Sequence, residues 1–589
     1  MECIDLENRK FYPRPDMYRN AWQSLDGIWK FAFDDRDEGL VFDWKDGLGD
    51  VGEILVPFSY QSRKSGIGDT SVHNVVWYER EIHIPYEWGK GHVWLYFGAV
   101  DHDTDIWGNG QHLMHHRGGF TPFEIDITGV IDSGCVKVVV RCEDRNTPDL
   151  VRGKQHWLEK TDRCWYTATS GIWQSVWMYY VPGVRVNQLH FLTDIDRMQV
   201  QAKAELDAEI KGTAEWKIYK DGNLLSAGNM LIDGKNLVVN VQLNNEDPID
   251  NNMGLWSPEC PNLYDFVLTI NRDEIVQDEV AGYFGIRKIS IEKGKICLNH
   301  EPYFQKLVLD QGYWKDSLMT PPDADAIIKD IQLTKEMGFN GVRKHQKLED
   351  PRFLYYADVI GLIVWEEIPS AYQFTDYGSK EIVDLLMEMV NRDYNHPCIV
   401  TWLLFNESWG IRNVLNDTTQ QDFGKAMYYL VKSLDGSRLV STNDGWEALP
   451  ADIIGIHDYE QNPQKIMEKY SDKEKLLNGN AVGKKVLAFG TQYKNEPVLI
   501  TEYGGIALED HKTETWGYNG KAENSKDLET KIDAVTRAFT SIPWGINGFC
   551  YTQLTDVEQE TNGLLDSERN PKIDPLRVER IINKSPTQY

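Results

Sequence analysis

The chain of 589 residues lacks most of the features that would tie it to a membrane, a nucleic acid or a metal. No apolar run approaches the roughly 18 residues of a membrane helix. The opening stretch MECIDLENRKFYPRPDMYRN holds no apolar core of a secretory leader, so a cytoplasmic location is the expectation. Positive charge is scarce. Lys and Arg number 62 against 91 Asp and Glu, for a formal net charge of -29. Nucleic acids and anionic membranes are thereby excluded as general partners. The acidic residues are dispersed, with no long acidic block, which is the pattern of a solubilising surface. Cysteine is sparse and scattered: Cys3, Cys135, Cys142, Cys164, Cys260, Cys297, Cys398 and Cys550. None forms a CxxC pair, so zinc-ribbon spacing is absent, and reduced, buried thiols are expected. There is no HExxH, P-loop, dinucleotide glycine fingerprint or G-x-S-x-G elbow. Neither a short-period repeat nor a low-complexity tract occurs.

What is present falls into two regimes. Up to about residue 292 the chain reads as short alternating strands with turn punctuation, as in HVWLYFGAV, CVKVVVRCE, SVWMYYVP and VVNVQL. Helical periodicity is rare there, which predicts β-sandwich material. A break near Val181-Pro182-Gly183 divides it. Residues 1–182 are read as a jelly-roll domain and residues 183–292 as one immunoglobulin-like sandwich. From 293 to 589 apolar strands alternate with helical segments. Eight strands are expected: YFQKLVLD, FNGVRK, GLIVWEE, CIVTWLLFNE, RLVSTND, DIIGIHDY, PVLITEYGG and GINGFCYTQ. Helical runs separate most of them, such as DADAIIKDIQLTKEM with Asp323 as its N-cap. Eight β/α units in about 300 residues predict a closed (β/α)8 TIM barrel over a doubly wound open sheet. The fold class is thus a multidomain β plus α/β chain.

In such a barrel the chemistry sits at the C-terminal strand ends. Those ends carry Asp310-Gln311, then Arg343-Lys344-His345-Gln346-Lys347, Glu366-Glu367, Asn406-Glu407, Asn443-Asp444, His457-Asp458-Tyr459, Glu502-Tyr503 and Tyr551-Thr552-Gln553. Glu407 and Glu502 stand out. Each follows a strongly apolar strand and has an aromatic residue within two positions. A single Glu at a strand end is ordinarily solvated or salt-bridged. Two of them on strands four and seven, with Asn406 in front of one, suit glycosidic cleavage. There one carboxyl group protonates the leaving oxygen and the other attacks the anomeric carbon. The acid then needs a raised pKa, from apolar surroundings or from its partner's charge. That chemistry calls for no cofactor, and no ligand cluster in the sequence indicates a metal.

HPCIVTWLLFNES and PVLITEYGG resemble the acid/base and nucleophile segments of glycoside hydrolase family 2, the family of β-galactosidases, β-glucuronidases and β-mannosidases. The resemblance runs over nearly the whole chain. RNAWQSLDGIWKFAFD, GAVDHDTDIWGNGQHLMHHRGGFTPFEIDIT and TSGIWQSVWMYY resemble its N-terminal sugar-binding jelly roll. FGIRKISIEKGKICLN resembles its sandwich-to-barrel junction. MGFNGVRKHQKLEDPRFLYYADVIGLIVWEE resembles its second and third strands. The resemblance implies Glu407 as general acid/base, Glu502 as nucleophile, Asn406 on the sugar 2-hydroxyl and Tyr503 beside the nucleophile. Ser408 is then the end of a catalytic motif, and the Asn406 sequon is incidental.

The chain departs from the family where the rest of the sugar is held. After strand two the family shows Arg-x-Ser-His-Tyr-Pro. Here RKHQKLEDP keeps Arg343 but puts Gln346 in place of the histidine and Lys347 in place of the tyrosine. After strand one, LVLDQGYW replaces Arg-His-Glu, which makes Asp310 and Gln346 substitute hydroxyl partners. The glucuronidase Asn-x-Lys motif is missing: EQETNGLLDSERNPK offers Asn562-Gly563-Leu564, and the NGK at Asn519–Lys521 lies in another loop. The basic run Arg343, Lys344, His345 and Lys347 can hold an anionic sugar by a different route. Equally, Arg343 can prop the catalytic carboxylates while the lysines pair with Glu349 or Asp350. Trp409, Trp446, Tyr459, Trp516 and Tyr551, with Asp458, are further candidates to line the sugar pocket. The expected activity is a retaining exo-β-glycosidase of the β-galactosidase/β-hexuronidase type, with a carbohydrate substrate as partner. A homo-oligomer stays open. So do a carbohydrate-binding protein on a non-catalytic scaffold and, more remotely, a non-hydrolytic barrel enzyme.

Overall fold

The computed structural model describes residues 4–158, 160–243, 254–509 and 516–584. Its first sandwich is built from antiparallel strands whose side chains alternate between two faces. In Cys135–Glu143 the residues Val136, Val138, Val140 and Cys142 face the sandwich core. Val139 faces the opposite way, against Trp77 and Trp107. This strand lies inside a six-stranded sheet, between Val75–His83 and Asp103–Gly108. A four-stranded sheet covers the core from the other side, with Val176–Val181 and His92–Phe97 at its centre. Together they form the expected jelly roll.

The second sandwich hangs on one long strand, Gln199–Lys220. Its register breaks between Glu205 and Ile210. Before the break it pairs with Val186–Asp194, and after it with Tyr264–Arg272. A break of this kind bends a strand, so the same strand contributes to both layers. Leu206, Ile218, Phe266, Leu268 and Phe284 fill the space between them. Arg19 ties this domain to the first through Asp278 at 2.8 Å.

Eight further strands form the barrel, numbered here β1 (Gln305–Asp310), β2 (Gly341–Lys344), β3 (Ile363–Glu367), β4 (Ile399–Asn406), β5 (Leu439–Asp444), β6 (Ile454–His457), β7 (Val498–Gly504) and β8 (Gly548–Thr552). All ladders are parallel, in the order β5-β4-β3-β2-β1-β8-β7-β6. The amide of His457 closes the ring onto the Gly445 carbonyl at 3.3 Å. Every residue of β4 is buried, as expected for a parallel strand covered on both faces. Helix α1 (Ala324–Glu336) starts where Asp323 accepts the Ala326 amide at 2.8 Å. The helix Ser525–Thr540 lays Leu528, Ile532, Val535 and Phe539 on the barrel, a spacing that keeps one helical face inward. Among the described residues no helix is long and apolar enough to cross a membrane.

One segment of the jelly roll leaves its sandwich. Residues 144–158 and 160–172 cross the mouth of the barrel. Arg152 and Gly153 donate their amides to the Ser370 carbonyl at 3.2 and 3.0 Å. Tyr372 and Gln373 donate theirs to Pro148 at 2.8 and 3.0 Å. The carboxylate of Glu381, on the helix Asp376–Asp393, takes His102 on one oxygen and the Val151 amide on the other. The Tyr166 hydroxyl donates to Glu560 at 2.6 Å. The thiols differ from expectation in two places. Cys260 is exposed on a two-residue strand and Cys135 half-buried at the start of an inner strand, while Cys142, Cys164, Cys297, Cys398 and Cys550 are buried. Cys3 lies outside the described residues.

Gly153 is where this crossing presses on the barrel's second-strand loop. Its φ is +59° and a Cβ there would lie 2.2 Å from the Gln346 carbonyl oxygen. Gly153→Ala is expected to destabilise the protein by about 1–3 kcal/mol, read as a lower melting temperature. An unchanged melt would show that the segment is loosely seated.

Candidate active site

The strand ends converge on one buried guanidinium. Arg343, fully shielded from solvent, donates to Glu367 at 2.8 Å, to Asp444 at 2.8 Å, to Glu502 at 3.1 Å and to Asn406 Oδ1 at 2.8 Å. It thereby links β2 to β3, β5, β7 and β4. Burial pushes the Glu367 carboxyl up to about 7 against the pull of Arg343. Burial alone would also raise Asp444, but Arg343 and His457 hold it below the usual carboxylate range.

His457 at the end of β6 is the second hub. Burial works against its charge, yet Glu502, Asp444 and Glu407 outweigh it and push the imidazole up to about 10. As an imidazolium it donates Nδ1–H to Glu407 at 2.8 Å and Nε2–H to Asp444 at 2.9 Å. Glu407, His457 and Glu502 each bring one ligand-type atom within 4.8 Å of the others.

Glu407 owes its aim to a sharp turn. Glu407 and Ser408 have φ of +52° and +61°, a conformation that non-glycine residues hold only when surroundings enforce it. Here Asn443 accepts the Ser408 amide at 2.9 Å, and Ser408 Oγ donates to Glu447 at 2.6 Å. Glu502 is fixed from two sides, by Arg343 and by the Tyr459 hydroxyl. Burial and the charges of Glu502 and Glu407 push the Tyr459 phenol well above its ordinary value, so it stays a donor. Tyr518 stacks on Tyr459 at 4.1 Å, and Trp516 sits beside Tyr518 at 4.7 Å. Carboxylate oxygens of Glu407 and Glu502 lie within 4.8 Å of each other.

Six candidates are used elsewhere. Lys344 pairs with Asp310 and with Glu349, each at 2.7 Å. Lys347 spends its three donors on Glu349 and on the carbonyls of Gly312 and Met319. Both lysines and Asp310 are thus a buried brace under the mouth, and the basic run is not a sugar clamp. Asp458 turns away and accepts from Lys469 at 2.7 Å and Tyr470 at 3.1 Å. Tyr503 faces outward: strand side chains alternate, so the residue after Glu502 points to the helices, where its hydroxyl meets Thr536 at 3.0 Å. Tyr551 packs against Tyr503 in the same layer. Tyr459, not Tyr503, steadies Glu502. Asn406 is only 2% exposed, which rules out the sequon as a glycan acceptor. Gln346 remains at the mouth, 2% exposed, with both amide atoms unpartnered.

Other members of the site are hard to see in a sequence. His457 was visible as a strand terminus, but nothing marked it over its neighbour Asp458. Lys154 and Trp165 come from the crossing segment of another domain. The Lys154 ammonium lies 5.1 Å over the Trp409 ring, and Trp165 stacks on Trp409 at 5.5 Å. Glu560, fully buried, faces the same space from the β8 loop.

Three family profiles match in sequence along the chain. They are the glycosyl hydrolases family 2 sugar-binding domain over residues 22–182, glycosyl hydrolases family 2 over 184–287, and the family 2 TIM barrel domain over 289–574. The chain belongs to glycosyl hydrolase family 2. Among relatives in family 2, a β-galactosidase of Lactococcus lactis is 29% identical over 72% of this chain and 43% of its own length. A β-glucuronidase of Rattus norvegicus is 26% identical over 69% of this chain and 66% of its own. The chain therefore spans less than half of the first and about two thirds of the second. A β-glucuronidase structure from Ruminococcus gnavus superposes with a TM-score of 0.78 over 97% of this chain and 99% of that one, at 22% identity. That likeness shows the shared family 2 fold.

Two outcomes follow from the geometry. Tyr459→Phe is expected to lower kcat on an aryl β-glycoside about 10- to 100-fold, through loss of one hydrogen bond to a charged group. Tyr503→Phe should change it less than about twofold. Equal effects would put the two tyrosines in the same role. His457 is raised from an unfolded value near 6.5 to about 10. Its contribution to stability is therefore complete below pH 6.5 and lost as pH rises through about 10. Urea unfolding of His457→Gln should show a flatter stability profile across that window than the parent protein.

Proposed function

We propose that this family 2 chain is a retaining exo-β-glycosidase that acts on terminal β-D-galactosides or β-D-hexuronides by double displacement. The observation that carries the reading is the 4.8 Å limit between the Glu407 and Glu502 oxygens. A retaining pair stands about 5–5.5 Å apart, whereas an inverting pair leaves roughly 6.5–9.5 Å for a water. The activities that name the two relatives, β-galactosidase and β-glucuronidase, support the same two sugar classes.

In the first step a Glu502 oxygen attacks the anomeric carbon as the bond to the aglycone oxygen breaks. Glu407 transfers its proton to that oxygen, and the sugar is left as an ester on Glu502. In the second step Glu407 takes a proton from water. The resulting oxygen attacks the same carbon, and Glu502 departs as the carboxylate. His457 holds Glu407 throughout and Tyr459 holds Glu502, so neither carboxylate has to search for its position. Asn406 gives its carbonyl oxygen to Arg343, which leaves its NH2 group to donate to the sugar 2-hydroxyl. That bond strengthens as the ring approaches an oxocarbenium ion.

A panel of aryl β-galactoside, β-glucuronide, β-galacturonide, β-glucoside and β-mannoside tests the reading. Turnover of at least one is expected, with the β-anomer as the first sugar product by NMR. Glu502→Gln should lower kcat by at least about a thousandfold. An α-anomer would overturn retention. Sugar binding without turnover would leave a carbohydrate-binding protein.

A further inference from the structure

The barrel's own cations are consumed. Arg343 is shared among Glu367, Asp444, Glu502 and Asn406, and Lys344 and Lys347 are locked to Glu349 and Asp310. Lys154 is different. It is 3% exposed, and among the described residues it forms no ion pair. Its neighbours are the Trp409 and Tyr166 rings, at 5.1 and 5.9 Å, and the Cys164 thiol. Although burial works against its charge, Cys164, Glu560, Glu502 and Glu407 keep the ammonium above the ordinary lysine value. The cation therefore persists in a dry place within the field of both candidate catalytic carboxylates. An ammonium held this way is costly without a counter-ion in contact.

Next to it stands a second unsatisfied group. Gly153 touches the Gln346 backbone, which sets Lys154 beside the residue whose amide nitrogen and oxygen are both buried and unpartnered. Gln346 itself has φ of +52°. An ammonium without an ion pair and an unpartnered amide, carried on two segments whose backbones touch at the barrel mouth, offer donors for an anion and a hydroxyl. The Asn-x-Lys lysine that the resemblance associates with glucuronides is absent from the β8 loop, where Leu564 stands.

We propose that Lys154, delivered by the jelly roll and seconded by Gln346, is the residue that recognises a sugar carboxylate, so that the preferred substrates are β-D-hexuronides. This rests on the glycosidase reading above and narrows it to acidic sugars. It also accounts for how a chain of charge -29 admits an anion: the attraction is local to the mouth.

The test compares the parent protein with Lys154→Met and Lys154→Arg on 4-nitrophenyl β-D-glucuronide, β-D-galacturonide and β-D-galactoside. The parent should favour a uronide. Lys154→Met should raise KM for it, and its kcat/KM should fall about 100-fold further than that for the galactoside. Lys154→Arg should recover part of the loss. As a readout independent of turnover, free glucuronate or galacturonate should raise the melting temperature of the parent and not that of Lys154→Met. Equal losses on acidic and neutral sugars would make Lys154 a positioning residue for the glutamates and overturn the proposal. So would a parent that prefers the galactoside, or one that shows no melting shift with either uronate. If no glycoside is cleaved, the hydrolase reading fails by itself. A uronate shift abolished in Lys154→Met would then still support the carboxylate site.

Discussion

The site depends on one guanidinium. Arg343 sits at the axis of the barrel mouth, and its planar fork can serve several acceptors in fixed directions, which a lysine cannot. Four of the eight strands end in a group that it holds. None of those groups would be placed by its own backbone alone, since a strand end fixes a Cα and leaves the carboxylate to rotate. Removing one partner from such a buried cluster typically costs about 3–5 kcal/mol, so the cluster resists piecemeal change. The proposed catalytic pair, Glu407 and Glu502, inherits that rigidity. Glu502 receives it directly, and Glu407 receives it through His457 and Asp444.

The charges of the mouth are arranged in two tiers. The lower tier, Arg343 with Glu367, Asp444 and His457, is closed on itself. So is the brace of Lys344, Lys347, Asp310 and Glu349 beneath the strand-two loop. The upper tier, Lys154 and Gln346, is open. Closed clusters set geometry, and an open one keeps donors to offer. Both kinds carry the same residue types, and only their pairing tells them apart.

That distinction explains what the sequence could and could not reveal. The eight strands were legible because parallel strands buried on both faces leave unbroken apolar runs, as in Ile399–Asn406. The two glutamates were legible because each ends such a run. The direction of a side chain past the last strand residue was not. Asp458 and Tyr459 are adjacent, yet one turns to Lys469 and the other to Glu502. Tyr503 follows Glu502 and so faces the helix layer, a consequence of strand alternation that motif resemblance overrode. Lys344 and Lys347 read as a basic patch because Glu349 is their partner only in three dimensions. Lys154 gave no signal at all: it lies in an irregular stretch, about 190 residues from the nearest strand end it serves.

The hydrogen bond from Tyr166 to Glu560 joins positions 394 residues apart in the chain. During translation the jelly roll emerges first and can fold before the barrel exists. The crossing segment then waits over an empty seat until β8 and its loop leave the ribosome. A truncated polypeptide, however well its early domains fold, holds one half of a mouth and no means of closing it. The mouth is therefore completed late in synthesis and all at once.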